Sequence, residues 1–382
     1  MKRNWLTLVV AVSLSAGQAI TNGQDKVDDK KPAEKEEKEF GKTISEWIAL
    51  LRNQKEDPKF RRASLIVLEA TAKAGTTGLP AVLDCVEKDT DASVRQQAVI
   101  LLGRLGPEKR GTTLALVDRL QNDADKDVRE AAATALGSKM FLGQAPQYLN
   151  ILIDRLKDKH AGTRVAIVST MRNMEKGAAP AVPALIDAAK NADEHELVRT
   201  GAVHIISRYG STNPQTLTLF VEIVNKSDNP TALREAAIDG LARTAGDSTE
   251  ALAALSKSLV EKNLEIRKAA ATTLHALGAK AQPAWTAVKT RFDKKNEPDS
   301  GIRNNAIRLA GVLGKTNDEA VDHLALAAEK DDSNENRIAA IQELGELGSR
   351  AKSAAKVLDA IRKEDGRATI REAAEKALKQ IR

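Results

Sequence analysis

Residues 89–106 read D-T-D-A-S-V-R-Q-Q-A-V-I-L-L-G-R-L-G. Asp89 stands six positions before Arg95, Val94 one before it, Ala98 three after, Leu102 seven after, and Gly106 closes the segment. The same skeleton returns around Arg61, Arg129, Arg164, Arg199, Arg234, Arg267, Arg303, Arg337 and Arg371, at intervals of 33 to 36 residues. A fixed period of this length marks an array of small units, none of which can bury its apolar face alone.

Each column of the repeat has a physical reading. Offsets of minus one, three, four and seven from the arginine share one face of a helix. The residue before the arginine is usually apolar (Val94, Val128, Val198, Ile266), and position seven is apolar throughout, from Leu68 to Leu378. Alanine dominates position three, with Ser64 and Ile167 the exceptions. A small side chain there suits two helices at the ~8–10 Å spacing of close packing.

The arginine lies in the first turn of its helix, where a cation opposes the helix dipole. So regular a misplacement requires a partner. The acidic residue six earlier supplies one, with Lys55 the sole exception in that column. The pattern predicts a structural ladder drawing on Asp89, Asp123, Asp158, Asp193 and Asp228 and on Arg95, Arg129, Arg164, Arg199 and Arg234. In it, each guanidinium bonds acids and turn carbonyls of its own or the next unit through its planar fork.

Outside the array the chain changes character. Lys2 and Arg3 precede an uncharged, mostly apolar run over 5–16, followed by Gly17-Gln18-Ala19. The run is too short to span a bilayer, and the pattern predicts a signal peptide over 1–19 cleaved after Ala19. Residues 20–42 are rich in Asp, Glu and Lys and read as a charged, disordered linker. The array occupies 43–382. Thr43 and Glu46 form a capping box at its start. First helices open near Pro80, Pro146, Pro183, Pro214 and Pro283, and second helices close near Gly106, Gly210, Gly278, Gly314 and Gly348. No proline is expected inside a helix, and no strand pattern is present.

A helix pair carrying D-x-D-x-x-V-R-x-x-A-x-x-x-L-G on its second member resembles the HEAT repeat, specifically the phycobilisome-lyase-like subtype. The resemblance covers 43–382. It implies an all-α, right-handed α-solenoid of about ten two-helix repeats, with the second helices lining the concave face. Most such proteins are interaction scaffolds. HEAT-like deoxyhypusine hydroxylases hold two irons through four His-Glu pairs; this chain has one, His195-Glu196. HEAT-like DNA glycosylases use groove tryptophans, whereas Trp47 and Trp285 fall on first helices. The phycobilin lyases act in the cytoplasm, which the leader argues against.

Composition agrees with an array. Aromatic residues are 3% of the chain, and a solenoid needs no large aromatic core because each unit packs on its neighbours. The formal charge of +6 is mild and interspersed, so it selects no nucleic acid. Cys85, the single cysteine, reads as a small core hydrophobe. His160 and His195 occupy the N-cap position in adjacent units and read as turn residues, not metal ligands. No G-x-S-x-G, phosphate loop or H-E-x-x-H is present.

The reading is therefore a non-enzymatic, exported scaffold (periplasmic or secreted), without cofactor, metal or mature membrane span, acting as a monomer. It binds a protein or peptide along second-helix positions that include Arg172, His204, Arg208, Asp239, Arg243, His275 and Arg308. The alternative is a lyase-type enzyme or subunit acting on a small ligand or prosthetic group.

Overall fold

The computed structural model describes residues 37–381. The chain divides into two units, 1–44 and 45–382. In the first, Glu39 and Lys42 exchange backbone hydrogen bonds of 2.8 and 3.2 Å across a turn at Phe40 and Gly41. The expected signal peptide over 1–19 and the linker as far as residue 36 lie outside the described residues.

The array is built of helix pairs, and every regular element among the described residues is helical. The first four pairs are α1 (Ile44–Arg52) with α2 (Pro58–Ala70), α3 (Leu79–Lys88) with α4 (Ala92–Leu105), α5 (Thr112–Asn122) with α6 (Lys126–Leu136), and α7 (Ala145–Arg155) with α8 (Ala161–Asn173). The middle pairs are α9 (Val182–Lys190) with α10 (Glu196–Tyr209), α11 (Gln215–Asn225) with α12 (Thr231–Thr244), and α13 (Thr249–Leu259) with α14 (Leu264–Leu277). The last are α15 (Trp285–Val288) with α16 (Ser300–Leu313), α17 (Asp318–Lys330) with α18 (Asn334–Leu347), and α19 (Ala355–Glu364) with α20 (Ala368–Ile381). This is an α-solenoid.

Second helices start where a side chain can take the free amides of the first turn. Asp91 accepts from the N–H groups of Ser93 and Val94, and Asp125 from those of Asp127 and Val128. Their apolar stripe is then buried: Val94, Ala98, Val99 and Leu102 are inaccessible, as are Val198, Ala202, Val203 and Ile206 one region further on. Each such Val, Leu or Ile contributes about 1.5–3 kcal/mol by leaving water. Phe60, at the equivalent of Val94 in the first pair, is instead 45% exposed, with the Lys59 ammonium over its ring.

Second helices pack on the second helices before and after them and, from α4 to α14 and at α18 and α20, on the first helix of their own pair; first helices touch one another less extensively. The second-helix layer is the tighter because its contact residues are small. A Cβ at Gly103 of α4 would stand 2.8 Å from the Ala135 Cβ of α6. Substitution there would force the layers apart. The exposed positions of the second helices form the surface that the resemblance assigns to the inner side of the array.

The punctuation departs from expectation at two prolines. Pro80, Pro146 and Pro183 do sit at the starts of α3, α7 and α9. Pro180 and Pro283 lie inside seven-residue 3₁₀ segments, Glu175–Ala181 and Gly278–Ala284. These short windings tolerate a residue without an N–H better than an α-helix does. The α15 helix that follows Pro283 is one turn long, and Pro283 does not open it. Gly106, Gly278 and Gly348 terminate α4, α14 and α18 at φ of 86°, 57° and 56°, the left-handed side that glycine adopts without strain.

Candidate partner-binding surface

The arginine column fixes how the second helices are presented. Arg95 grips Asp123 with both branches of its fork, Nε to Oδ2 at 2.9 Å and Nη2 to Oδ1 at 2.8 Å, while Nη1 donates to the Asp89 carbonyl at 2.8 Å. Arg129 does the same to Asp158 at 2.7 and 2.9 Å, and Arg61 to Asp89 at 2.9 and 2.8 Å. The carboxylate therefore belongs to the following unit. That explains Lys55: an acid in the first unit would have no preceding arginine of the column to serve. At the other end, Arg371 donates to the Asp365 carbonyl of its own turn.

Each acid does two jobs. Asp89, Asp123 and Asp158 also accept the backbone N–H two residues on, at 2.9 Å in each case, which closes the turn before the second helix. Burial pushes the Asp123 carboxyl up. Arg95, the Asp125 N–H and Arg119 more than offset it and hold the group below its ordinary 3.8. Asp158 follows the same pattern, with burial opposed by Arg129 and the His160 N–H.

Two members of the expected ladder are displaced. Asp193 and Asp228 are exposed and take no part. Arg164 instead pairs with Glu194, Nε to Oε2 at 2.8 Å and Nη2 to Oε1 at 2.6 Å. Arg199 meets no carboxylate among the described residues: it donates to the Ala189 carbonyl and to the Asn229 side-chain oxygen, both at 3.1 Å. In both cases the acceptor that meets the preceding arginine stands five positions before the next one, Glu194 before Arg199 and Asn229 before Arg234, whereas Asp123 and Asp158 stand six before Arg129 and Arg164. Arg234 returns to the usual offset with Glu261 at 2.6 Å.

His160 and His195 cap α8 and α10 through Nδ1, accepting from the N–H groups of Thr163 at 3.4 Å and Leu197 at 3.2 Å. His160 also lies 3.5 Å from Glu130 of the preceding unit. With Asp127 these side chains offer three potential ligand atoms within 4.8 Å of one another, a grouping that sequence spacing did not suggest. Asp127 is, however, bound to Lys126 at 2.8 Å. Cys85 is buried, and burial followed by the nearby Asp89 charge raises its thiol far above the reactive range. Trp47 and Trp285 are buried on first helices.

On the inner side of the second helices, Arg172, His204 and Arg208 meet in one cleft of about 610 Å³, completed by Lys139, Asn173, Glu175 and Tyr209 among others. The remaining expected positions are distributed differently. Asp239 and Arg243 pair with each other along α12 at 3.3 Å. Arg308 reaches Glu343 at 3.5 Å and Asn304 at 3.1 Å. His275 lies near Arg308: crowding by the packed helices, then that charge, lowers its pKa below 6.5. His204 is lowered likewise, by desolvation first and Arg172 next, with Asp239 pulling upward and Arg208 downward. It is a neutral imidazole among cations at neutral pH. Glu343 moves the other way, raised above 4.5 by burial and by Glu346.

The sequence matches HEAT repeats over residues 44–137, 113–204 and 288–379. No curated protein matches it. Among solved structures, an engineered protein superposes with a TM-score of 0.57 at 17% identity, covering 88% of this chain and 98% of that one. Kap121p superposes with a TM-score of 0.51 at 14% identity, covering 88% of this chain but 41% of its own. Those likenesses are of fold alone. The ten-fold recurrence of one helix pair and its arginine column, with the family match over more than half of the sequence, make this chain a member of the HEAT-repeat family.

Proposed function

We propose that the protein is a non-enzymatic scaffold that holds a protein or peptide partner along the inner surface of its second helices. The observation that carries this is the division of labour among its arginines. The arginine column is consumed in joining units, whereas Arg172 and Arg208 project from the same helices with no acceptor among the described residues. We further read the repeats as the phycobilisome-lyase-like subtype and the chain as exported after cleavage at Ala19. N-terminal sequencing of protein from its native host checks export, and a mature chain still beginning at Met1 refutes it.

The partner reading is tested by affinity capture and mass spectrometry with charge-reversed variants. Arg208→Glu with Arg243→Glu removes a captured protein while helicity and melting stay unchanged. Arg62→Glu with Lys376→Glu, near the two ends, leaves it in place. Equal loss from both pairs means diffuse charge attraction, and no loss from the central pair refutes the surface. Retained colour or a bound small-molecule mass in the purified protein would favour the lyase alternative.

A further inference from the structure

Cations on the inner side of this array normally come with an acid. Arg104 of α4 meets Glu69 of α2 at 2.7 Å, Arg243 meets Asp239 on its own helix at 3.3 Å, and Arg308 of α16 meets Glu343 of α18 at 3.5 Å. Arg172 of α8 and Arg208 of α10 break that rule. Neither makes a hydrogen bond or ion pair to any described residue, and both line the same cleft. Lys139, in the turn after α6, adds a third unpaired cation. Glu175 is the one carboxylate on the lining, and it sits in a left-handed backbone conformation, φ 50°.

We propose that this cleft is a carboxylate-reading subsite: Arg172 and Arg208, supported by Lys139, take the acidic side chains of an extended segment of the bound partner. The proposal rests on the scaffold reading above and names the chemistry of what that surface holds. Two guanidinium forks on adjacent helices match two separate planar carboxylates, each able to accept a pair of parallel N–H donors. Glu175 on the lining opposes a compact dianion such as phosphate more than a single carboxylate. Asn173 cannot close the cleft on itself, because its side-chain amide is spent on the Gly137 carbonyl at 3.0 Å.

His204 supplies an internal reporter. It lies between Arg172 of α8 and Arg208 of its own α10, with Asp239 of α12 as the acid nearby. Carboxylates bound to the arginines screen the charges that now disfavour the imidazolium. Binding therefore raises the pKa of His204, and by linkage the affinity rises as pH falls through the interval between its free and bound values.

The test uses the full chain, a fluorescent hexaglutamate as probe, and hexalysine as the opposite-charge arm. Hexaglutamate is expected to bind, to move the His204 ring signals, and to shift their titration to higher pH. Arg172→Gln with Arg208→Gln weakens that binding by about tenfold or more, as expected for loss of charge-assisted pairs. Arg52→Gln with Arg104→Gln, arginines that already own a carboxylate, changes it by less than about twofold. Circular dichroism verifies that both variants remain helical. Equal weakening by the two double variants, an unmoved His204, or no hexaglutamate binding overturns the subsite. A phosphoserine peptide of equal charge binding about tenfold tighter than hexaglutamate overturns the carboxylate assignment. None of these results touches the capture experiment, so the subsite and the scaffold reading fail separately.

Discussion

The rung between Arg129 and Asp158 and the rung between Arg199 and Asn229 join equivalent helices in different ways. The first is a bidentate ion pair whose carboxylate also closes the next turn. The second is a pair of hydrogen bonds from the guanidinium to neutral acceptors, one at the end of α9 and one on an amide. The amide in turn donates to the Ile223 carbonyl at the end of α11, at 3.0 Å. What recurs from Arg61 to Arg337 is a guanidinium bonded to carbonyls of a turn or helix end and to a side chain of the next unit, not a particular charge. For Arg164 and Arg199 a side chain one position later in the turn supplies the acceptor. The same stretch, α8 to α12, also carries the unpaired arginines of the inner cleft.

The largest effect expected from this contrast comes from removing each arginine in turn. Arg129→Ala leaves Asp158 almost inaccessible, its side chain 3% exposed, and without its ionic partner. That variant loses about 3–5 kcal/mol, the cost of stranding one half of a buried pair. Arg199→Ala strands a carbonyl and an amide oxygen and loses about 1–3 kcal/mol. Chemical denaturation followed by circular dichroism ranks the two. Equal losses would erase the distinction between the rungs, and an unchanged midpoint for Arg199→Ala would make that arginine a mere surface charge.

Asn229→Asp sharpens the comparison, because charge counting and hydrogen-bond counting give opposite signs. A carboxylate here would complete the row of ion pairs and face Arg199. It would also lose the donor to Ile223 and place a negative charge against the carbonyl end of α11, where the helix dipole disfavours it. The expected result is a net loss of about 1–2 kcal/mol. A gain in melting temperature would show that the charge row, not satisfaction of the helix end, governs the rung.

Much of this was legible in the sequence because it repeats. The arginine column, the apolar face and the capping residues follow from local spacing and from helix geometry, and the helices lie where that spacing puts them. The exchange of Asp193 and Asp228 for Glu194 and Asn229 was not legible. Arg129 to Arg164 and Arg164 to Arg199 are both 35 residues apart, and the turns 156–160 and 191–195 are equally long, so spacing alone does not tell which turn residue faces the preceding arginine. Lys139 escaped for a related reason: it sits in a turn, outside the columns that mark second-helix faces. That Arg172 and Arg208 share a cleft while Arg243 and Arg308 find acids depends on side-chain reach between units, which a period does not encode.

The smallest effect separates the rungs by acid. Asp123 and Asp158 titrate below their ordinary 3.8 because the arginines and turn amides outweigh burial. A carboxyl lowered on folding binds fewer protons in the native than in the unfolded chain near that pH. Its stabilisation is complete above 3.8 and drains away as pH falls through the lower, folded value. Asn229 has nothing to protonate in this range, so the bond it makes to Arg199 carries no such slope. Each unit in a solenoid answers chiefly to its neighbours, so the loss should be local. Amide hydrogen exchange, with protection factors dividing out the intrinsic pH dependence, resolves it. Protection in α4, α6 and α8 should decline below pH 3.8 before protection around the α10–α12 contact does. Uniform loss along the array would mean that the rungs melt as one cooperative body, and earlier loss at α10–α12 would mean that the neutral rung is the weaker joint even before acid reaches the others.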